Sequence, residues 1–296
     1  MTFLRLHIFG RRLFYALICA FAAWTGAKAA RAENPVKIAP HKAVYDWSLY
    51  ETKGGALSVV AASGSLTYEV RKNCDSYETK THSDLTVAYD INGVEKSSFR
   101  QETKESADGC FFEFKSWSDE SETPDVAGIG VCEADKKKIT LTHPLPAEMA
   151  LPRSVLFPVA QTKALLQAAA DGKKIFSSYV YDASKADSLH FVNAVASEAD
   201  ANGDRLFNLA FYNDMGAKDG NDGAPLYEAD VRYGATGAAR EVVQRFDGYT
   251  LKSTLKSLET LPETPCAKKK TVKALKKTGK RAITVPKAKK GHKKGA

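Results

Sequence analysis

Four cysteines are the residues of this chain whose types and spacing most clearly allow chemistry. They are Cys74, Cys110, Cys132 and Cys266, all beyond the apolar N-terminal stretch. None of them forms a Cys-x-x-Cys or Cys/His pair with the spacing of zinc ligands or of a thioredoxin-type redox motif. In an oxidising compartment, an even number of cysteines indicates disulfides, and four cysteines can pair in three ways. The chemistry of these residues therefore depends on the compartment that the chain reaches.

The N-terminal residues predict export. A positively charged start is followed by the apolar run Leu13–Trp24, whose twelve residues are fewer than the roughly 20 that a membrane-spanning helix needs. The small residues of Ala30-Arg31-Ala32 suit a signal-peptidase site. We therefore predict a cleaved signal peptide over residues 1–32, with cleavage near Ala32, and a mature chain in which disulfides can form.

The histidines and serines give no sign of a catalytic site. The sequence contains neither a His-Glu-x-x-His motif nor a Gly-x-Ser-x-Gly elbow. We predict that the protein is not an enzyme and that it has no catalytic, cofactor-binding or metal-binding residues. The histidines of the predicted mature chain are His41, His82, His143, His190 and His292.

Two acidic segments could be mistaken for cation sites. Asp219–Asp222 followed by Gly223 is similar to part of a calcium loop, but it lacks the sixth-position glycine and the twelfth-position glutamate. Glu198–Asp204 reads more readily as the tip of a hairpin. Asp46 and Glu69 lie within strand-like runs, where a partly exposed strand face explains them.

Charge is distributed very unevenly along the chain. Between Glu33 and Cys266 there are 25 basic and 35 acidic residues, whereas 13 basic residues and no acidic ones follow Cys266. Lysines at this density repel one another and bury too little apolar surface to offset the entropy of the chain. We expect an acidic folded domain over residues 33–266 and a disordered, lysine-rich tail over residues 267–296.

The tail suggests contact with an anionic surface. Export removes nucleic acid from reach, and the tail has no aromatic residue for base stacking. Lipid headgroups, lipopolysaccharide phosphates and peptidoglycan carboxylates remain as partners, although a solvated tail without a function stays an open alternative. The candidate contact residues are Lys268, Lys269, Lys270, Lys276, Lys277, Lys280 and Arg281.

The domain has the period-two pattern of β-strands. His41–Glu51 alternates between two faces, and turn signals such as Asn202-Gly203 and Asp247-Gly248 separate the later runs. The pattern predicts an all-β, antiparallel fold of about fourteen strands. The other strand-like runs are Gly64–Arg71, Tyr77–Tyr89, Val94–Thr103, Cys110–Trp117, Asp125–Glu133, Lys138–Thr142, Lys174–Asp182, Ser188–Ser197, Arg205–Asn213, Leu226–Tyr233, Ala239–Phe246 and Tyr249–Leu261.

One segment has helical spacing instead. Val159–Asp171 clusters its apolar residues on one helical face, Pro158 suits a helix start, and Gly172 suits a helix end. We predict one inserted helix that packs on the sheet or closes one end of a barrel.

Several phrases resemble one known family. They are PHKAVYDWSLYE (Pro40–Glu51), GSLTYE followed by CDSY, LPRSVLFPVAQTKALLQAA in the middle of the chain, and FDGYTLKSTLKSLETLPETPC at the end of the domain. In this order and spacing, they resemble the EipB-type cell-envelope integrity family of exported Gram-negative proteins over about residues 40–266.

The resemblance implies a periplasmic, open, spiral-like antiparallel barrel that carries one helix. It also implies a disulfide that joins an N-terminal-half cysteine to one near the C-terminus, which here are Cys74 and Cys266. Cys110 and Cys132 are then left for each other, and a hairpin centred on Ser121 would place them opposite one another. This second pair and the lysine tail both depart from the family pattern.

Two functions remain open at this point. The first is a non-enzymatic periplasmic protein that maintains envelope integrity by binding an envelope protein, a lipid or peptidoglycan. The alternative is a carrier that holds a lipid or a lipoprotein acyl chain on the concave face of the barrel.

Overall fold

The computed structural model of the chain describes residues 36–54, 58–91, 93–118, 120–213 and 223–266. The chain divides into two units, Met1–Pro265 and Cys266–Ala296. The predicted signal peptide and the lysine-rich tail lie outside the described residues, as do Asp219–Asp222 and His292, so the predictions about them stay predictions. Within the described ranges, no helix combines the length and the apolar character that a membrane span requires.

Fourteen antiparallel strands form one sheet. The first eight are β1 (His41–Thr52), β2 (Val59–Asn73), β3 (Ser76–Tyr89), β4 (Gly93–Ser106), β5 (Phe111–Trp117), β6 (Val126–Cys132), β7 (Lys136–His143) and β8 (Ala147–Pro152). After the helix α1 (Pro158–Ala170), the chain continues through β9 (Ile175–Tyr181), β10 (Leu189–Ala196), β11 (Arg205–Asn213), β12 (Tyr227–Tyr233), β13 (Ala239–Arg245) and β14 (Tyr249–Thr260).

The sheet starts in its middle and grows in two directions. Its strand order is β8-β7-β6-β5-β4-β3-β2-β1-β14-β13-β12-β11-β10-β9. Strands that are consecutive in the chain therefore pair with each other, except β8 and β9. In addition, β1 pairs with β14. The two edge strands, β8 and β9, are consecutive in the chain, and α1 lies between them in sequence. The sheet is open at this point, because β8 and β9 do not pair with each other.

A short contact bridges part of this opening. Leu156, in the segment after β8, donates its N–H to the Tyr179 carbonyl at 2.8 Å and accepts from the Tyr181 N–H at 3.0 Å. Further along, Ser116 of β5 donates its hydroxyl to the Ala183 carbonyl at 2.7 Å. The end of β9 therefore overlaps the first half of the sheet, and this overlap makes the sheet spiral-like.

Apolar packing on β5–β8 places the start of the helix. Phe157, which precedes α1, stacks on Phe112 of β5 with ring centroids 4.6 Å apart. Gly130 of β6 leaves the room for this ring, since a Cβ at that position would lie 2.8 Å from the Phe157 Cζ atom. Tyr181 of β9 packs edge-on against Phe114 in the same cluster. Phe157 therefore holds the N-terminal end of α1 on the first half of the sheet.

The body of the helix packs against the second half of the sheet. Leu165 and Ala169 of α1 are buried in a cluster with residues of β10, β11 and β12. Val159 of α1 is also buried with Val70 and Tyr77 of the first half, so the helix joins the two halves of the sheet through apolar contacts. The sheet residues of this cluster are Ala194, Phe207, Leu209, Ala229 and Val231.

The four described cysteines are all in disulfides. Cys110 and Cys132 are bonded to each other across the β5–β6 hairpin, with Cα atoms 4.8 Å apart. Cys74 and Cys266 are also in disulfides. The Cys74 N–H donates to the Thr264 carbonyl at 2.9 Å, so the backbone two residues before Cys266 lies beside Cys74. This placement supports the pairing of Cys74 with Cys266, which stays a prediction.

The structure confirms the fold that the sequence predicted: an open, all-β antiparallel sheet of fourteen strands with one helix in the described part of the chain. The predicted helix start at Pro158 is also the observed one. The sequence did not predict β8 (Ala147–Pro152). Prolines in and before this strand hid it, because proline removes a donor from the ladder and is tolerated mainly on edge strands such as this one.

We predict that the two cysteine pairs stabilise the protein unequally. On the chain-entropy model, closing the long loop between Cys74 and Cys266 contributes about 5 kcal/mol, and the loop from Cys110 to Cys132 contributes about 3 kcal/mol. Replacing Cys74 and Cys266 together by serine should therefore lower the melting temperature more than replacing Cys110 and Cys132 together.

Peptide mapping without reduction should accompany this comparison and should find Cys74 linked to Cys266. A Cys74–Cys110 peptide, or equal melting temperatures for the two double variants, would contradict the prediction.

Candidate functional site

The face of the sheet against which α1 packs, called the inner face here, carries the polar groups that the fold buries. Side chains alternate along each strand, so the strand register shows which residues share this face. Glu105 of β4 lies opposite Phe112 of β5 and Tyr77 of β3. Trp47 of β1 lies opposite Ser253 of β14. The inner face therefore runs continuously across strands of both halves of the sheet.

Glu105 is a buried carboxylate at the N-terminus of α1. Its side chain is 1% exposed, and its two oxygens accept hydrogen bonds from the Val159 and Ala160 N–H groups, each at 2.8 Å. Phe157, at the N-cap position, provides no side-chain cap, and the first turn contains no acidic residue. The first N–H groups of a helix lack partners within the helix. Glu105 provides partners for two of these N–H groups from a strand more than fifty residues earlier in the chain.

Two lysines surround this carboxylate. Lys137 of β7 is 4% exposed. It donates to the Gly109 carbonyl at 3.0 Å and lies 4.1 Å from the centroid of the Phe157 ring. Lys163 of α1 donates to the Ala107 carbonyl at 2.9 Å. Both ammonium groups attract the negative charge of Glu105 and also hold the turn that follows β4.

Burial nevertheless dominates the titration of Glu105. It raises the pKa of Glu105 from an ordinary 4.5 to about 7, although the two N–H groups and the two lysines act in the opposite direction. Burial also lowers the pKa of Lys137, against the attraction of Glu105. A buried carboxylate is costly unless it is paired, and this one is paired with a helix terminus and two cations. Glu105 therefore holds the start of the helix. The free-energy cost of burying its negative charge depends on pH.

Tyrosine side chains continue the inner face next to the helix. The Tyr45 hydroxyl donates to the Ala239 carbonyl at 2.8 Å, and burial raises the pKa of Tyr45 to about 12. Burial also raises the pKa of Tyr68 and of Tyr233. These hydroxyls therefore stay neutral at physiological pH and can act only as hydrogen-bonding groups.

A row of aromatic rings extends over the inner face from β11 to β14. Phe211 stacks on Tyr227 with ring centroids 4.4 Å apart. Tyr227 in turn stacks on Phe246 at 6.0 Å, and Phe246 contacts Tyr249 at 5.1 Å. All four rings keep part of their surface accessible. This part of the inner face offers a partly accessible apolar surface to a ligand.

Polar atoms without partners lie on the same face. The Trp47 Nε1, Ser178 Oγ and His190 Nδ1 atoms are buried and have no hydrogen-bond partner among the described residues. The His190 Nε2 atom lies 3.6 Å from the Asp182 Oδ2 atom. Because Ser178 makes no hydrogen bond to His190, these groups lack the nucleophile–base contact of a serine hydrolase. They are suited to contacting a polar group of a ligand.

The opposite face of the sheet carries charges that alternate in sign. Lys80 and Glu102 pair across β3 and β4 at 3.4 Å, and Glu78 pairs with Lys104 at 3.7 Å. Exposed pairs of this kind contribute at most about 1 kcal/mol each. Their main effect is on register, because a slip of one residue would move every charge to the inner face. On β3 and β4, these charges neutralise one another.

The histidines noted in the sequence differ in burial and in their hydrogen-bond partners. His41 is buried, its Nδ1 atom lies 2.7 Å from the Ala39 carbonyl, and burial lowers its pKa. His82 is exposed and pairs with Asp84 at 3.0 Å. Asp46 is exposed as expected. In the described ranges, no group of three His, Cys, Asp or Glu side chains is placed to hold a metal ion.

Sequence reasoning missed Glu105 and Lys137. On β4, Glu105 shares its face with Thr103 and Gln101, so no apolar alternation marks that face as buried. The helix terminus and the two lysines that pair with Glu105 come from parts of the chain that only the fold brings together.

Comparisons with known proteins agree on one family. The family model described as EipB-like matches residues 32–262. The cell envelope integrity protein EipB of Brucella abortus (strain 2308) is 25% identical over 257 residues, which cover 80% of this chain and 89% of that protein. A crystal structure from Brucella abortus, described as a beta-barrel-like protein of a domain of unknown function, DUF1849, is similar in fold. Its TM-score is 0.65 at 22% identity, and the match covers 77% of this chain and all of that one.

We predict that the buried Glu105 makes stability depend on pH. Its folded pKa of about 7 lies above the ordinary value of 4.5, so the folded state binds the proton more tightly than the unfolded state. Stability from this group is therefore present at low pH and is lost as pH rises from about 4.5 to 7. Between pH 4.5 and pH 8, Glu105→Gln should gain up to about 3 kcal/mol in unfolding free energy relative to wild type.

Urea unfolding at a series of pH values measures this difference, with the exposed Glu113→Gln on the next strand as the matched control. Parallel pH profiles for wild type and Glu105→Gln would show that the carboxylate does not titrate in this range.

Proposed function

The chain belongs to the EipB-like family, and we propose that it maintains the integrity of the cell envelope as a non-enzymatic periplasmic protein. The observation that carries this proposal is the similarity to the Brucella cell envelope integrity protein over most of both chains. The apolar N-terminal run and the Cys110–Cys132 disulfide support an exported, oxidised protein.

The arrangement of side chains supports binding rather than catalysis. The buried ionisable groups under α1 hold the helix to the sheet, and the inner-face groups Ser178 and His190 do not form a nucleophile–base pair. A protein of this kind acts by contacting another envelope component, and the chain offers two regions for such a contact. They are the basic tail and the inner face of the sheet.

The tail is the first of these regions. Its basic residues are not balanced by acidic ones, whereas the charges on β3 and β4 are paired with each other. Near an anionic membrane, each lysine contributes roughly 1 kcal/mol. We infer that the tail holds the protein close to an anionic envelope surface.

A carrier for a lipid or a lipoprotein acyl chain is the second candidate function. The observation that favours it is the partly accessible aromatic row on the inner face, which also carries the buried Trp47 Nε1 and Ser178 Oγ atoms that lack hydrogen-bond partners among the described residues. An amphipathic ligand would place its chain on the rings and its polar group at these atoms. A lipid that co-purifies with the exported protein would support the carrier, and a lipid-free protein would favour contact through its surface.

A gene deletion in the source bacterium tests the envelope role. The deletion strain should plate less well than its parent on detergent, because a weakened envelope admits detergents more easily. The full chain should restore growth, whereas a chain without residues 1–32 should not, since it would remain in the cytoplasm. Equal plating of parent and deletion strains, with or without detergent, would contradict the proposal.

Sedimentation with anionic liposomes tests the tail. The mature protein should co-sediment at low salt, and binding should fall steeply as salt screens the charges. Replacing Lys268, Lys269, Lys270, Lys276, Lys277, Lys280 and Arg281 by glutamine should abolish most of the binding.

A matched control removes the same number of charges from the folded domain. It replaces the exposed residues Lys53, Lys96, Lys115, Lys173, Lys174, Lys185 and Lys256 by glutamine. Equal loss of binding in the two variants would mean that overall charge, rather than the tail, determines binding.

A further inference from the structure

The Cys110–Cys132 disulfide lies beside a cation. The Arg153 guanidinium, from the segment after β8, lies with its Nη2 atom 3.5 Å from the Cys110 sulfur. The same side chain donates through Nη1 to the Glu133 carbonyl. This second bond anchors the guanidinium across the end of the β5–β6 hairpin. Both cysteines are partly exposed, so a small thiol can reach the bond.

The other charged groups around the bond are of both signs. Lys137 pairs with Cys132 across β6 and β7 and is bonded to the Gly109 carbonyl. Asp108 is the nearby acid, and its carboxylate accepts from the Cys110 N–H at 3.0 Å. The Glu133 carboxylate is paired with Lys136 at 3.4 Å. Lys137 also faces the Glu105 carboxylate. Arg153, which contacts the Cys110 sulfur, is therefore the cation that acts on it directly, and a cationic neighbour lowers the pKa of a cysteine thiol.

We propose that Cys110–Cys132 is a redox-responsive disulfide that exchanges with an external thiol, with Cys110 as the leaving sulfur. Exchange is fastest when the leaving thiol has a low pKa. Arg153 stabilises negative charge on Cys110, which makes Cys110 the better leaving sulfur. The incoming thiolate therefore attacks Cys132.

The exchange balances as follows. The thiolate of an external thiol forms a bond to the Cys132 sulfur, the Cys110–Cys132 bond breaks, and Cys110 leaves as a thiolate beside Arg153. A second external thiolate, from the same dithiol or from a second molecule of a monothiol such as glutathione, attacks the external sulfur in this mixed disulfide and releases the Cys132 thiolate. Cys110 and Cys132 gain two electrons, and the reductant becomes a disulfide.

The hairpin has enough other contacts to stay folded when the bond opens. The Ser106 hydroxyl accepts from the Cys110 N–H at 3.0 Å and from the Phe111 N–H at 2.9 Å. The Cys132 N–H donates to the Cys110 carbonyl at 2.9 Å. Opening of the bond is therefore local. The bond lies close to the turn after β4, which Lys137 and Lys163 hold through the Gly109 and Ala107 carbonyls.

Reduction of the oxidised mature protein by glutathione tests the proposal. Quenched samples are alkylated and mapped by mass spectrometry, which gives the rate of opening and the cysteine that carries the glutathione adduct. We expect the first adduct on Cys132. Arg153→Gln should slow opening about three- to tenfold, because the leaving thiolate loses its cation. Arg153→Lys, which keeps the charge, should recover part of the rate.

Arg71→Gln is the control, since Arg71 is an exposed arginine whose described ion pair is with Glu69 on another part of the sheet. Equal melting temperatures of the oxidised variants would show that changes in rate do not come from unfolding. An adduct on Cys110, or an unchanged rate in Arg153→Gln, would overturn the proposal.

Discussion

The bond between the Glu105 carboxylate and the N-terminus of α1 is the interaction on which the arrangement of this fold depends. The sheet begins in its middle and ends in two unpaired edges, and α1 is the only described helix available to link its halves. Phe157 packs on β5 while Leu165 packs with the second half of the sheet. Glu105 fixes where the helix begins, because its two oxygens accept from N–H groups at the helix start, where the N-cap residue provides no side-chain hydrogen bond.

This arrangement separates the sheet into two chemically different faces. One face pairs charges across neighbouring strands, which favours a single register and keeps that surface hydrated. The inner face carries aromatic rings and buried polar atoms that have no hydrogen-bond partner among the described residues. The scaffold is held by contacts under α1, while the aromatic row stays partly accessible.

Two features set this chain apart from the pattern that the family resemblance implies. The Cys110–Cys132 bond lies across one hairpin beside Arg153, so it can respond to thiols without loss of the strands it joins. The tail has 13 basic residues and no acidic ones, whereas acidic residues outnumber basic ones in the domain. The disulfide is partly exposed, and the tail follows the domain in the chain.

The sequence alone determined the features that depend on neighbouring residues. Alternation predicted the strands and proline predicted the helix start. The family resemblance left Cys110 and Cys132 to pair with each other, and their positions on either side of Ser121 fitted a hairpin. The sequence did not predict β8, whose prolines hide the pattern, or the burial of Glu105 and Lys137. Only the tertiary structure decided these, because β4, β7 and the start of α1 are distant in the chain. Their charges meet only when the sheet has formed, so a pattern confined to one strand cannot record them.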